Sequence, residues 1–206
     1  MNISNCQWPK ATLPRRAFTL IELLVVFAII AILAALIVGL TSSAGAAKVR
    51  SRVKTELAAL ETVIGKYHRQ YGFYPPDHSR MPPPPPGQLS TNQLTPLYYE
   101  LTGTEPPVPV KANVFNAFGI NGIVNSSINP ADKPNNFHPN LPTKGFEKMP
   151  ANPDVLLLVV PYKGPAGDYN PWHYRSSKPE HNSDGFDLWA EVTINGKTEV
   201  IGNWKE

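Results

Sequence analysis

One carboxylate interrupts an otherwise apolar stretch near the amino terminus of this 206-residue chain. Between Phe18 and Ala47 the only charged side chain is that of Glu22. A carboxylate at membrane depth costs on the order of 2.5–3.5 kcal/mol at a helix centre, and less near a helix end, where an acid can be tolerated. Cleavage immediately before Phe18 would supply a charge partner, because the new α-amino group would lie four residues from Glu22, one helical turn away. The spacing indicates either a tolerated acid or half of an ion pair that forms after processing.

A second group of candidate ligands lies near the carboxyl terminus. Oxygen-bearing side chains recur within eight residues at Glu180, Asn182, Asp184 and Asp187. Because Ca²⁺ takes six to eight oxygen ligands, including carboxylates and carbonyls, this segment is a candidate calcium site. The alternative interpretation is a solvated polar loop. No other cofactor is indicated by the sequence.

The sequence contains no motif that is typical of an enzyme or a nucleic-acid-binding protein. The five histidines have no metal-binding spacing, and neither a nucleophile elbow nor a phosphate-binding loop occurs. The formal charge of +3 comes from Lys10, Arg15 and Arg16, and a chain starting at Phe18 would have no net charge. The single cysteine, Cys6, also precedes Phe18, so the trimmed chain could form no disulfide.

The apolar stretch from Phe18 to Leu40 is long enough to span a membrane as a helix. Its 23 residues would extend roughly 34 Å at about 1.5 Å per residue, compared with a hydrocarbon core of about 30 Å. A buried core helix is a poorer interpretation, because such helices are rarely apolar on every face. A secretory signal peptide is another alternative, although its apolar region typically has only about 7–15 residues.

Helical periodicity continues beyond this stretch. No proline interrupts the chain from Phe18 to Tyr74, and Gly72 followed by Pro75 is a typical helix stop. The sequence therefore predicts one helix of about 50 residues, made of a transmembrane half (18–40) and a stalk (41–74). Apolar residues recur along the stalk at intervals of three or four, at Val49, Val53, Leu57, Leu60, Ile64, Tyr67 and Tyr71.

Residues 75–153 are rich in proline, asparagine and glycine and are predicted to be a loop region. Within it, Pro82–Pro86 should be extended and exposed, and a short helix is expected in 88–101. Residues 103–153 are predicted to be a long surface loop. Because so long a loop is uncommon in a compact domain, we also expect some short strand or helix there.

Residues 154–206 are predicted to form a carboxyl-terminal β-sheet region. Asn195-Gly196 lies between two β-rich runs, which is a strong signal for a hairpin with a type I′ turn. The fold class is therefore α+β, with a long amino-terminal helix packed on a small antiparallel sheet. Three tryptophans are expected in the core or on a sheet face, namely Trp172, Trp189 and Trp204.

The amino-terminal pattern resembles a known processing site. The string Arg15-Arg16-Ala17-Phe18-Thr19-Leu20-Ile21-Glu22, followed by the apolar run, is similar to the prepilin site of type IV pilins and type II secretion pseudopilins. This resemblance implies that residues 1–17 are a leader, that prepilin peptidase cuts between Ala17 and Phe18, and that Phe18 is N-methylated. It also implies that Glu22 pairs with the amino terminus of a neighbouring subunit during assembly. Ala17 departs from the usual glycine, and Gly39 stands where many members have a proline.

Gly72-Phe73-Tyr74-Pro75 resembles the turn after the long helix in the G-type major pseudopilins, which often bind calcium in a carboxyl-terminal loop. The resemblance implies a single-pass inner-membrane protein with its carboxyl-terminal domain in the periplasm. It would assemble into a periplasmic or extracellular filament that supports protein secretion. The implied partners are like subunits, minor pseudopilins, prepilin peptidase, an inner-membrane assembly platform and membrane lipid, without nucleic acid.

Two other functions agree with the same sequence. The first is a type IV pilin for adhesion, motility or DNA uptake. The lack of cysteine after Cys6 argues against it, because many such pilins carry a carboxyl-terminal disulfide loop. The second is a secreted binding module that ordinary signal peptidase releases. It would bind a ligand through its proline-rich surface or its tryptophans.

Overall fold

The chain divides into two compact units, Met1–Ala44 and Gly45–Glu206. The predicted leader, with Ala17, and the polyproline run lie outside the described residues. For residues 36–43 only the backbone is described. The computed structural model describes residues 18–78, 89–90, 92–119, 122–127 and 133–205.

The longest element is α1, a 52-residue helix at Leu20–Tyr71. The helix ends at Tyr71 because the next residue, Gly72, has a φ of +78°, a backbone conformation that residues other than glycine rarely adopt. The Gly72 N–H donates to the carbonyl oxygen of His68 at 2.8 Å and closes the last turn. Both the predicted long helix and its predicted stop are confirmed.

The second unit has one hydrophobic core, which includes the predicted stripe of α1. Val53, Ile64 and Tyr67 are completely buried, and Leu57 and Leu60 are nearly so. Full burial of such a side chain contributes roughly 1.5–3 kcal/mol, so the stripe is a major source of stability. These side chains belong to the same core cluster as those of the carboxyl-terminal strands, and this confirms the predicted α+β arrangement.

Two antiparallel sheets complete the second unit in the described part of the chain. A two-stranded sheet pairs β1 (Phe146–Met149) with β2 (Asn152–Leu158). A three-stranded sheet has the order β3-β4-β5. Its strands are β3 (His173–Arg175), β4 (Asp187–Ile194) and β5 (Lys197–Gly202).

Local contacts fix the position of the β4–β5 hairpin. Asn195 and Gly196 have φ values of +51° and +76°, as a type I′ turn requires, so the predicted hairpin is confirmed. Arg50 of α1 donates two hydrogen bonds of 2.6 Å to the carboxylate of Glu199 in β5. This bidentate pair ties the helix to the hairpin.

The region that the sequence predicted as loop contains regular structure. It holds α2 (Leu97–Thr102), α3 (Lys111–Phe118) and β1, and the predicted boundary at 153/154 falls within β2. The loop prediction for 103–153 was therefore wrong for α3 and β1, whereas the short strand or helix that was also expected there is confirmed, as is the short helix in 88–101. α3 forms because Val114 and Phe118, one helical turn apart, are both buried in the core.

The three tryptophans lie where the sequence placed them. Trp172 is buried in the core. Trp189 and Trp204 are half-buried. Trp189 stacks on His173 with ring centroids 4.8 Å apart, and Trp204 stacks on His181 at 3.9 Å.

Candidate functional site

The first turn of α1 holds Glu22 through a reciprocal pair of hydrogen bonds. The Thr19 backbone N–H and hydroxyl donate to Glu22 Oε2 at 3.0 and 2.8 Å, and the Glu22 N–H donates to Thr19 Oγ1 at 3.3 Å. Thr19 precedes the helix and Glu22 is its third residue, so the two form a capping box. The negative charge also lies at the positive end of the helix dipole. Sequence reasoning missed Thr19, although the Thr-x-x-Glu spacing before an apolar run is the signal for it.

Phe18 and Glu22 are the predicted site residues of this segment that the structure describes, and both are exposed. Phe18 is 77% exposed, and among the described residues the carboxylate of Glu22 accepts hydrogen bonds from Thr19 alone. The large apolar side chains from Leu20 to Leu33 are also exposed, from 47% for Val26 to 81% for Leu20. A contiguous apolar surface of this kind marks a site of contact with lipid or protein.

Within the ranges that the structure describes, no helix is both long and apolar enough to cross a membrane. The transmembrane span predicted at 18–40 is therefore not confirmed.

The predicted calcium ligands lie together, but Asp187 is engaged by its own loop. Its Oδ2 accepts the backbone N–H groups of Glu180 at 2.6 Å and His181 at 3.0 Å, and its Oδ1 accepts that of Asn182 at 3.0 Å. Burial raises the pKa of Asp187, but the hydrogen bonds from these three N–H groups outweigh it and leave the pKa below its usual value. Asp187 thus organises the segment before β4.

The other three predicted ligands have partners of their own or are exposed to solvent. Glu180 pairs with Arg175, the Asn182 side chain donates to the Phe186 carbonyl at 3.1 Å, and Asp184 is exposed. Across the described ranges, no group of three or more His, Cys, Asp or Glu side chains is arranged to hold a metal ion. Calcium binding here stays a prediction.

Glu100 in α2 carries a buried carboxylate that no sequence pattern indicated. Its side chain is completely buried. Oε1 accepts the Val124 N–H at 2.6 Å, and Oε2 accepts the Ser126 N–H at 2.6 Å and lies 2.8 Å from the Tyr67 hydroxyl. Burial raises the pKa of Glu100 to about 6, although these hydrogen bonds oppose the rise.

Glu100 holds a backbone segment of unusual conformation. Four consecutive residues other than glycine have positive φ, from Val124 at +95° through Asn125 at +43° and Ser126 at +52° to Ser127 at +60°. Each such residue costs roughly 1–2 kcal/mol. The cradle of hydrogen bonds to Glu100 offsets that cost, because it satisfies N–H groups that the left-handed turn directs inward.

Comparison with known proteins identifies the amino-terminal segment alone. Residues 13–38 match the family described as the prokaryotic N-terminal methylation motif, and the match includes Phe18, Thr19 and Glu22. No curated protein and no solved structure showed significant similarity to the chain. The matched segment begins before the capping box and covers most of the exposed apolar part of α1. The amino-terminal segment therefore carries a prepilin-type methylation motif, which indicates a type IV pilin-like or pseudopilin subunit.

Proposed function

We propose that this chain is the precursor of a structural subunit of a type II secretion pseudopilus. Prepilin peptidase cuts between Ala17 and Phe18 and methylates the new amino terminus. Residues 18–40 then anchor the subunit in the inner membrane, with the carboxyl-terminal domain in the periplasm, until an assembly platform draws it into the filament. The observation that carries this proposal is the methylation motif, with Glu22 in the first turn of an exposed apolar helix.

The capping box suggests how Glu22 is stabilised before assembly. Thr19 donates two hydrogen bonds to the carboxylate, and charge-assisted bonds of this kind lower the cost of holding a charge in an apolar environment. A carboxylate has about four acceptor sites, so the α-amino group of a neighbouring subunit can bind without displacing Thr19. The same carboxylate would then serve first as a helix cap and later as the assembly contact.

The apolar surface between Leu20 and Leu33 has a consistent role in this scheme. Lipid covers it while the subunit waits in the membrane, and the same helices of neighbouring subunits cover it in the filament. Removing such side chains from water stabilises the assembly by about 25 cal/mol per Å² of apolar area. The subunit acts as a building block, and no catalytic step is assigned to it.

The choice of a pseudopilus over a type IV pilus rests on the second unit. The turn at Gly72–Pro75 is fixed to the sheet, because the Tyr174 hydroxyl donates to the Pro75 carbonyl at 2.9 Å and Tyr74 packs on Phe186 at 5.2 Å. This turn resembles that of the G-type major pseudopilins. The chain after Cys6 also has no cysteine for a disulfide loop.

Three variants test the role of Glu22. We expect Glu22→Ala and Glu22→Gln to be inserted and processed but to be lost from sheared filaments, because each lacks the negative charge. Thr19→Ala is the matched control, since it removes the hydroxyl cap and keeps the carboxylate, and it should still assemble. Immunoblots of membrane and filament fractions give the readout. Wild-type incorporation of Glu22→Gln would refute the ion-pair argument.

A further inference from the structure

A cavity of about 530 Å³ opens beside the stalk part of α1. Its wall on the helix side includes Ala59 and Leu60, and its other walls come from the segment before β1 and the chain that follows β2. The cavity is large enough to receive several apolar side chains, since ligand pockets span roughly 300–1,000 Å³. We call it the α1 cavity, and its apolar lining includes Leu60, Leu141, Leu158, Pro161, Tyr162 and Trp172.

Charged groups surround this apolar lining. Arg52 and Glu56, one turn apart on α1, form an ion pair with Nε and Oε1 3.7 Å apart. Lys144 is exposed and makes no ion pair with any residue that the structure describes. The rim therefore carries one unpaired positive charge.

Elsewhere on the same unit, a proline-rich turn exposes an apolar side chain. Val108 is 85% exposed, compared with 45% for Phe73 and 50% for Val200, the other large apolar residues that are exposed in the described part of Gly45–Glu206. Val108 has a proline on each side. We call residues 106–110, Pro-Pro-Val-Pro-Val, the Val108 knob.

We propose that the Val108 knob of one copy docks in the α1 cavity of the next copy in the filament. The inference rests on the proposed filament function and adds to it a contact between the periplasmic domains. Knob and cavity share no residue, so the contact is head-to-tail. A contact of this type repeats without closing and generates an open helical array.

The physical match has three parts. Both surfaces are apolar, so their contact removes apolar area from water. The prolines fix φ in the knob, so little conformational freedom is lost on docking. The exposed Glu105, next to the knob, can approach the unpaired Lys144 at the cavity rim, because its present partner Lys111 is 3.5 Å away in an exposed pair that is easily exchanged.

Cysteine pairs test the contact directly, because the processed chain has no cysteine of its own. Val108→Cys places a thiol on the knob, and Asn140→Cys places one at the cavity wall. We expect the double variant, treated with a short thiol-specific crosslinker in intact filaments, to give a ladder of covalent dimers, trimers and larger species. A mixture of the two single variants should give dimers only.

The matched control pairs Asn140→Cys with Val200→Cys, which is also an exposed valine but lies in β5. The proposed contact would be overturned, with the filament function left intact, if filaments of the Val108→Cys/Asn140→Cys variant formed normally and gave no ladder. An equal ladder from the control pair would overturn it in the same way. Failure of the wild-type chain to enter any filament would refute the proposed function, and the contact would fall with it.

Discussion

The buried carboxylate of Glu100 makes stability depend on pH in a direction opposite to that of most acids. Its pKa rises from 4.5 to about 6 on folding, so between these values the native protein holds a proton that the unfolded chain has lost. Stability therefore falls as pH increases through this window. The rise in pKa corresponds to about 2 kcal/mol, which is present in full below pH 4.5 and lost above pH 6.

Glu100→Gln isolates this contribution. Glutamine keeps the shape of the side chain and does not titrate, but its NH₂ group must face either the Val124 or the Ser126 N–H. One buried donor then lacks an acceptor, which costs roughly 1–3 kcal/mol at every pH. In addition to this constant difference, the free energy of unfolding of the wild type should fall relative to that of Glu100→Gln by about 2 kcal/mol between pH 4 and pH 7.

The assay is urea unfolding of residues 45–206, followed by tryptophan fluorescence at four pH values from 4 to 7. It measures the difference in free energy of unfolding between the wild type and Glu100→Gln. Other titrating groups cancel because both proteins carry them. They include His173, whose pKa burial lowers to about 4 and which therefore favours folding at higher pH. Glu105→Gln, which replaces an exposed acid, is the control variant. A Glu100→Gln profile parallel to the wild type would refute the reasoning.

Two further predictions concern the β4–β5 hairpin and the candidate calcium segment. Gly196→Ala should lower the free energy of unfolding by about 1 kcal/mol, because φ is +76° there, whereas Gly45→Ala, in α1 with open space around it, should not destabilise the protein. Equal effects of the two substitutions on urea unfolding would contradict the turn assignment. If Glu180, Asn182, Asp184 and Asp187 bind calcium, its addition should raise the melting temperature, and Asp184→Asn should reduce the rise. An unchanged melting temperature at millimolar calcium would reject the site.

Local signals explain why α1 and the β4–β5 hairpin could be predicted from the sequence. The stripe from Val49 to Tyr71 is read directly from apolar spacing, and Gly72 and Asn195-Gly196 need backbone conformations that few other residues adopt. The first turn of α1 is similarly local, since the carboxylate and its cap are three residues apart. For such elements the nearest neighbours in the chain determine the structure.

The features that were missed depend on contacts between distant parts of the chain. Glu100 has no distinctive sequence context, and its partners are Tyr67, 33 residues before it, and a turn that begins 24 residues after it. The four-residue strand β1 is too short and too polar to be recognised without its partner β2. The hydrogen bonds of Asp187 were also not predicted, because the cluster of oxygen-bearing side chains indicated candidate calcium ligands and gave no sign that this carboxylate accepts backbone N–H groups of its own loop.

In the proposed function, the chain becomes a filament subunit through cleavage and methylation at Phe18. The most direct measurement is the intact mass and the amino-terminal sequence of the protein purified from its host membrane. We expect a chain that begins at N-methylated Phe18, with the mass of residues 18–206 plus one methyl group. A start near Ala47 would indicate ordinary secretion, and an intact Met1 would leave Glu22 without its amino-terminal partner; either result would contradict the proposed function.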